Sequence, residues 1–248
     1  MKPGASRKPE PPASGVVVAS RTAAGSAPRV PVAFTRLPPD AMVARAAAHA
    51  DAMATRRSVR HFSPEPFPRA IIDHAIRTAA SAPSGAHRQP WTFVVIEDAA
   101  LKRAVRDAAE LEERKNWGGR MPAEWVHALE PLGLDWQKPH LTDAPVLIVV
   151  FAQAWSEVTA PDGTTQRNKH YYVDESVGIA VGLMLSALHL AGLSTLTHTA
   201  SPMGFLRDLL GRPRSERAFV IVPVGYPAPG ADVPDIQRRS LDDVRIWR

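Results

Sequence analysis

The chain has little apolar periodicity before residue 40 and marked periodicity after it. From Asp40 the run AMVARAAAHADAMAT reads as an Ala-rich helix reaching about Thr55, with Asp40 as its N-cap. In RAIIDHAIRTAASA the residues Ile71, Ile72, Ala75, Ile76 and Ala79 recur at helical spacing, and SAPSGAHRQP (81–90) is a loop by composition. WTFVVIED is a strand, and its Asp98 caps a further helix, AALKRAVRDAAELEE. Residues 114–142 carry less pattern, although Trp117, Trp125 and Trp136 fall there. APVLIVVFA is apolar throughout and predicts a strand covered on both faces. SVGIAVGLMLSALHLAGL, apolar nearly all round, predicts a central helix. STLTHT, PMGFLRDLLG and AFVIVPVGYP then give strand, short helix and last buried strand. The polar end RRSLDDVRIWR carries Ile246 and Trp247, which predicts an extension that docks. Strands separated by helices indicate a layered fold, and strands too few for a doubly wound sheet favour the α+β class.

Charge sharpens the division at residue 40. Of the formal +5, residues 1–40 hold six basic against two acidic residues, which leaves about +1 for the other 208. The body therefore has no electrostatic footprint for nucleic acid. With eight prolines in those 40 residues, segment 1–38 is expected to be a disordered Pro/Arg-rich tail, and 39–248 one domain. There is no cysteine, which excludes disulfides, thiolate nucleophiles and Cys-ligated clusters. The apolar run GVVVA is too short for a signal or span, so no membrane and a cytoplasmic location are the expectations. No G-x-G-x-x-G, Walker, G-x-S-x-G or H-E-x-x-H pattern occurs. His87, His140, His189 and His198 are scattered, and His170 with Asp174 completes no ligand set, so no metal site is expected.

The densest chemistry is RRSVR, residues 56–60. On a helical turn Arg56 and Arg60 share a face, with Arg57 and Ser58 beside it. Arginine forks match phosphate oxygens, yet cations also suit a solvated helix C-terminus; taken alone, the run reads as the latter first. The small residues of SAPSGAH would let a flat ligand approach its amides, and alone they are only a loop.

In order along the chain, RRSVRHFS, AASAPSGAHRQPWTFVVI, HYY at 170–172, the apolar helix, LTHTASP, LLGRP and VPVGYP resemble the nitroreductase family of FMN enzymes, and within it the iodotyrosine deiodinases. The likeness runs from about Thr55 to about Asp243. It implies a mixed or antiparallel sheet flanked by helices, in a domain-exchanged homodimer with flavins at the interface. The FMN phosphate would lie on Arg56, Arg57, Ser58, Val59 and Arg60, with Arg238 reaching back to it. Ser84 would touch the flavin, and Thr197, His198 and Thr199 would line its ring. A Thr199 hydroxyl at flavin N5 suits one-electron chemistry; the other reading is that it caps the following helix.

The resemblance also implies a lid, about 113–140, that clamps an amino-acid zwitterion through Glu113, residue 117 and Lys138. Trp117 stands where the deiodinases have tyrosine, and indole donates a hydrogen bond but accepts none. The Ala86 amide would meet the substrate's phenolate, and the segment from about 232 to 248 would dock on the dimer. The expected activity is reductive dehalogenation of a halogenated phenol such as a halotyrosine. The alternatives are a general NAD(P)H-dependent nitroreductase or quinone reductase, and a flavin binder without turnover. Electrons would come from NAD(P)H or a separate reductase.

Overall fold

A computed structural model describes residues 29–248, and the expectation of disorder over 1–28 lies outside the described residues. Residues 29–38 carry no regular structure and are almost wholly exposed. Helix α1 (Pro39–Ala54) starts at a proline in its first turn, with Pro38 in the cap position and no side-chain cap bond. Asp40 is therefore a first-turn acid that meets the helix dipole, not the N-cap. Helix α2 (Ala70–Ala80) buries Ile72, Ala75 and Ala79, as its spacing predicts. After strand β1 (Trp91–Ile96), helix α3 (Ala99–Lys115) is capped by Asp98, whose carboxylate accepts from the Leu101 N–H at 2.7 Å.

The stretch 114–142 holds a wide turn over Asn116–Arg120, opened by Gly119 at φ 117°, then helix α4 (Ala123–Leu129) and the single turn α5 (His140–Asp143). Strand β2 (Val146–Gln153) leads into the hairpin of β3 (Trp155–Thr159) and β4 (Thr165–Lys169). This hairpin is an addition to the expected elements, and its turn is written in Pro161, Asp162 and Gly163. Asp162 accepts from both the amide and the hydroxyl of Thr164, and Gly163 takes φ 83°. Helix α6 (Val173–Leu190), strand β5 (Ser194–Thr195), helix α7 (Gly204–Leu209), strand β6 (Glu216–Gly225) and the turn α8 (Leu241–Val244) complete the chain.

The sheet runs β1–β2–β6–β5, antiparallel at every pairing. Strand alternation divides its side chains between two cores. Ile148, Val150, Val222 and Val224 pack with Met184 and Leu188 of α6 and with α2. Leu147, Val149, Phe151 and Ile221 pack on the other face with Val105 of α3, Leu141 of α5 and Leu206 of α7. The apolar helix is central on one side only. It buries Val177, Ala180, Val181, Met184 and Leu188 against the sheet, while Gly178, Ile179, Gly182 and Leu190 stay exposed. Among the described residues it alone has the length and composition to cross a membrane, and the sheet occupies one of its sides. The fold is α+β, as expected.

Candidate active site

The arginine run is extended, not helical. Helix α1 stops at Ala54, Val59 N–H donates to the Thr195 carbonyl at 3.2 Å, and Ser58 bridges Thr195 in parallel, so the run adds a short edge to the sheet. A two-residue alternation thus replaces the predicted i, i+4 face, and Val59 is buried in the core. Arg238 does fold back onto this corner, where its guanidinium donates to the carbonyls of Ala54 (2.9 Å) and Arg56 (2.6 Å). Arg57 donates to the Pro234 carbonyl, which ties the C-terminal segment down beside it. Burial, then the neighbouring Arg238 and Arg57 charges, lower the Arg56 pKa; burial lowers that of Arg60. Among the described residues none of these four arginines pairs with a carboxylate. Arg56, Arg57 and Arg60, partly buried, and the exposed Arg238, all without a counter-charge, fit a phosphate, which is the group that FMN would place here.

Arg60 also borders a cavity of about 810 Å³, whose walls include Glu113, Trp117, Lys138, Thr197, His198 and Thr199. Helices α3, α4 and α5, the turn at 116–120 and the segments 60–61, 133–139 and 196–202 build it. Glu113 lies in the last turn of α3, and Lys138 precedes α5, where its backbone N–H donates to Glu110 at 2.8 Å. Their side chains, 11% and 10% exposed, meet at 3.4 Å, and the Lys138 ammonium also donates to the Asp135 carbonyl. Asn116 donates to the Ser201 carbonyl at 3.1 Å, and Arg120 spans Asn116, Glu112 and that same carbonyl. These bonds strap the wide turn that carries Trp117 to the segment after Thr199. No short motif announces Asn116 and Arg120, because they act through a carbonyl more than eighty residues away.

The strand-like bridge of His198 to Ile221, with N···O distances of 2.8 and 2.9 Å, makes side chains alternate: Thr197 and Thr199 are exposed and His198 is buried between them. Thr199 caps nothing, since α7 begins at Gly204 after Met203. His198 Nδ1 lies 3.4 Å from His140 Nε2, a contact across 58 positions that no local pattern announces. Burial first, and then for His140 the cost of charging it beside His198 and for both rings the cations Lys138 and Arg60, push His140 down to about 2 and His198 to about 3, so both rings are neutral at pH 7. Among the described residues two buried side-chain nitrogens, Trp117 Nε1 and His198 Nε2, have no hydrogen-bond partner. Both belong to residues of this cavity.

Ser84 and Ala86 lie elsewhere. Ala86, His87 and Gln89 hold positive φ of 49°, 55° and 49°, an uncommon conformation for residues with a Cβ. A Cβ on Gly85 would stand 2.9 Å from the Tyr171 carbonyl, so the SGAH and HYY blocks are in contact at the N-terminal end of α6. The arginine run sits at the other end of that helix, where His189 meets Thr55 at 3.0 Å. Eighteen helical residues span about 27 Å. One chain therefore gathers Arg60, Glu113, Trp117, Lys138 and Thr197–Thr199, borders a smaller pocket of about 180 Å³ with Arg56, Arg57 and Val59, and leaves Ser84 and Ala86 apart.

Relatives share this arrangement of elements. The chain is 51% identical over 217 residues to the iodotyrosine deiodinase of Haliscomenobacter hydrossis, covering 88% of this chain and 96% of that protein. It is 43% identical over 218 residues to human iodotyrosine deiodinase 1, 88% of this chain and 74% of that protein. The crystal structure of oxidized iodotyrosine deiodinase bound to FMN and 3-iodo-L-tyrosine superposes with a TM-score of 0.66 at 30% identity, over 81% of this chain and 97% of that one. A nitroreductase with bound FMN from Bacteroides fragilis shares the fold, with a TM-score of 0.58 at 17% identity over 81% and 98%. The Nitroreductase family matches residues 53–226, from the end of α1 to the end of the last strand, and it is to this family that the chain belongs.

Proposed function

We propose that the protein is an FMN-dependent oxidoreductase that removes halide reductively from a halogenated phenol, with 3-iodotyrosine as the first substrate to test. The observation that carries this is the Glu113–Lys138 pair, nearly buried in the wall of the cavity that also holds Arg60, Thr197 and Thr199. A carboxylate beside an ammonium offers both complements of an amino-acid zwitterion. Relatives named iodotyrosine deiodinase, and one of them seen with FMN and 3-iodo-L-tyrosine, point the same way.

Bound FMN would supply the two electrons that, with one proton, replace the carbon–halogen bond by carbon–hydrogen and free a halide ion. This chain's residues supply the rest. Arg56, Arg57, Ser58 and Arg238 would hold the phosphate, and Thr197 and Thr199, exposed on the strand-like segment, would face the ring with their hydroxyls. The lid, residues 113–140, would close over the aromatic substrate through Trp117 and exclude water.

The active unit in this reading is a homodimer. Ser84 and Ala86 lie by one end of α6 and the arginines by the other, and that helix is about 27 Å long, so a second copy, antiparallel across α6, would bring them together. The surfaces that such a copy would cover are open. The α6 face has Gly178 and Gly182 for close approach, α1 buries no residue, and Ile246 and Trp247 at the end of segment 232–248 are 79% and 82% exposed. A small aromatic substrate, a cytoplasmic setting, and NAD(P)H or a separate reductase as electron source complete the proposal.

The test is direct. The purified protein should be yellow, release FMN on denaturation, elute as a dimer, lose flavin fluorescence on titration with 3-iodotyrosine, and release iodide under dithionite. A colourless preparation that cannot be reconstituted sinks the proposal. Absent quenching in a flavoprotein that still oxidises NAD(P)H with nitroaromatics would assign it to general nitro- or quinone reduction.

A further inference from the structure

Beside the apolar stripe of Val105 and Ala109, helix α3 carries a row of charges. Lys102, Arg106 and Glu110 recur every four residues and Glu113 follows three residues later, so all four share one side of the helix. Lys102, Glu110 and Glu113 are buried. The segment 138–145 lies along that side and is held mostly by its backbone. The Lys102 ammonium donates to the carbonyls of Ala144 at 2.7 Å and of Thr142 and Pro145 at 3.3 Å, and Arg106 donates to the Thr142 hydroxyl at 2.9 Å. Glu110 accepts the Lys138 backbone N–H at 2.8 Å and the Arg106 Nε–H at 2.7 Å. Burial works against the Glu110 carboxylate, but the Lys138 amide and Arg106 outweigh it and hold its pKa below the ordinary value, so it is charged at neutral pH. A buried charge is costlier to hold than an apolar side chain of its size, and what it adds is register. From Met121 to Gln137, by contrast, no hydrogen bond or ion pair among the described residues reaches beyond Asn116 and Lys138. That stretch is tied at its two ends, by the Asn116 and Arg120 bonds to Ser201 and by the Glu110 bond to Lys138, with Arg114 stacked 3.9 Å over the Trp136 ring.

We propose that Glu110 is a positioning residue: it pins the backbone of Lys138, the hinge of the lid, at the place along α3 where the Lys138 ammonium meets Glu113 and the cavity. The inference rests on the proposed function, in which that ammonium meets the ligand. Glu110 and Glu113, three residues apart on one helix, take the two ends of a single residue, its amide and its ammonium. Pro139 has no N–H, so the Lys138 amide is the last backbone donor of the hinge before α5. Glu110 is not part of the cavity wall and acts through Lys138 rather than on the ligand. Without its bond the hinge hangs on the flexible four-carbon stem of Lys138, which no longer fixes where the ammonium stands. Lys102 serves the same row farther along, at residues 142–145, and secures the end of α5 without setting Lys138.

Three variants of the FMN-loaded protein separate position from stability: Glu110→Leu removes the acceptor, Glu110→Gln keeps a carbonyl oxygen for the Lys138 N–H, and Lys102→Met breaks the same row away from the hinge. With 3-iodotyrosine, Glu110→Leu should raise KM and the dissociation constant about tenfold, the scale of a hydrogen bond to a charged group, while kcat stays within about twofold. Glu110→Gln should recover most of that affinity. Lys102→Met should lower Tm and leave KM unchanged. 2-Iodophenol, which has no amino-acid group for Lys138, should bind wild type and variants alike. Chymotrypsin should cut the lid, first at the exposed Trp125, several-fold faster in Glu110→Leu than in wild type or Lys102→Met. If Glu110→Leu loses its flavin, Glu110→Asp, whose carboxylate stops a methylene short of the amide, takes its place with the same expectations. An unchanged KM, a loss of affinity shared equally by 2-iodophenol, or an equal rise of KM in Lys102→Met would overturn the role, because Glu110 would then only support the fold. Wild-type protein that neither binds 3-iodotyrosine nor releases iodide removes the proposed function instead. The hinge is then decided by chymotrypsin: faster lid cleavage in Glu110→Leu keeps it, and equal cleavage removes it.

Discussion

Sheet and cavity are built on opposite terms. In the sheet, β2 buries seven of its eight residues and pairs on both sides, Val149 with Val94 of β1 and with Ile221 of β6. Even its buried charge is answered: Glu216, at the start of β6, accepts two bonds from Arg212 at 2.8 and 2.9 Å and one from Thr92. Nearby, the buried Lys102 ammonium donates to three carbonyls at the end of α5. Around the cavity the described residues leave two nitrogens without partners, a buried ion pair at a loose 3.4 Å, and Arg60 without a carboxylate. Stability is spent where a ligand is to complete the structure, and the fully answered sheet is what makes that deficit tolerable. Perturbations should accordingly hurt the fold in one region and binding in the other.

The largest effect belongs to the sheet. Phe151→Ala empties a fully buried site in the core shared by α3, α5 and α7, and should cost about 3–5 kcal/mol in thermal or denaturant unfolding. A loss under 1 kcal/mol would mean that this face is loosely packed. Next comes the ion pair. Lys138→Met strands Glu113 near the cavity wall and should cost about 1–3 kcal/mol, below the figure for a dry interior pair because water can reach the cavity. The double variant Lys138→Met with Glu113→Gln should recover much of that stability while 3-iodotyrosine affinity stays lost; full recovery of binding would remove the pair from the substrate site. The histidines come third. Their folded pKa values lie below the ordinary 6.5, so the unfolded chain takes up protons first, and stability falls as pH drops from about 6.5 towards 3. On the order of 2 kcal/mol should be lost by pH 5 per histidine that stays neutral in the fold. His140→Phe, compared with wild type across pH 7 to 5, should flatten that slope, and an unchanged slope would show that the pair already charges in the folded state.

How much of this was legible follows from range. Elements set by neighbours were readable: the spacing of Ile72, Ala75 and Ala79, the unbroken apolar run of β2, the Asp98 cap. Errors arose where distant partners decide. RRSVR follows a helix and reads as its end, but a hydrogen bond from Val59 to Thr195 draws it into the sheet edge. The apolar helix reads as buried all round because one face is owed to the sheet and the other lies open, and hydropathy does not distinguish the two. Glu113, Trp117 and Lys138 were reachable only through family likeness, since Glu113 and Lys138 alone are ordinary surface charges and a lone Trp in a weakly patterned stretch names no ligand. The His140–His198 contact, across 58 positions, had no local signal at all.

The smallest effect tests whether sheet and cavity are as separate as this division implies. Asp98 contributes one capping bond to α3, and its replacement by alanine should cost about 1 kcal/mol in unfolding. The same helix ends, seventeen residues on, at the turn that carries Glu113 and leads to Trp117. Val105 and Ala109 are fully buried against the sheet between the two ends, so fraying at Asp98 should stop before it reaches the lid. Asp98→Ala should therefore shift Tm by a few degrees and leave the affinity for 3-iodotyrosine within experimental error. If affinity falls as well, α3 transmits motion along its whole length, and the lid's geometry depends on the stability of the helix that bears it rather than on the Arg120 strap alone.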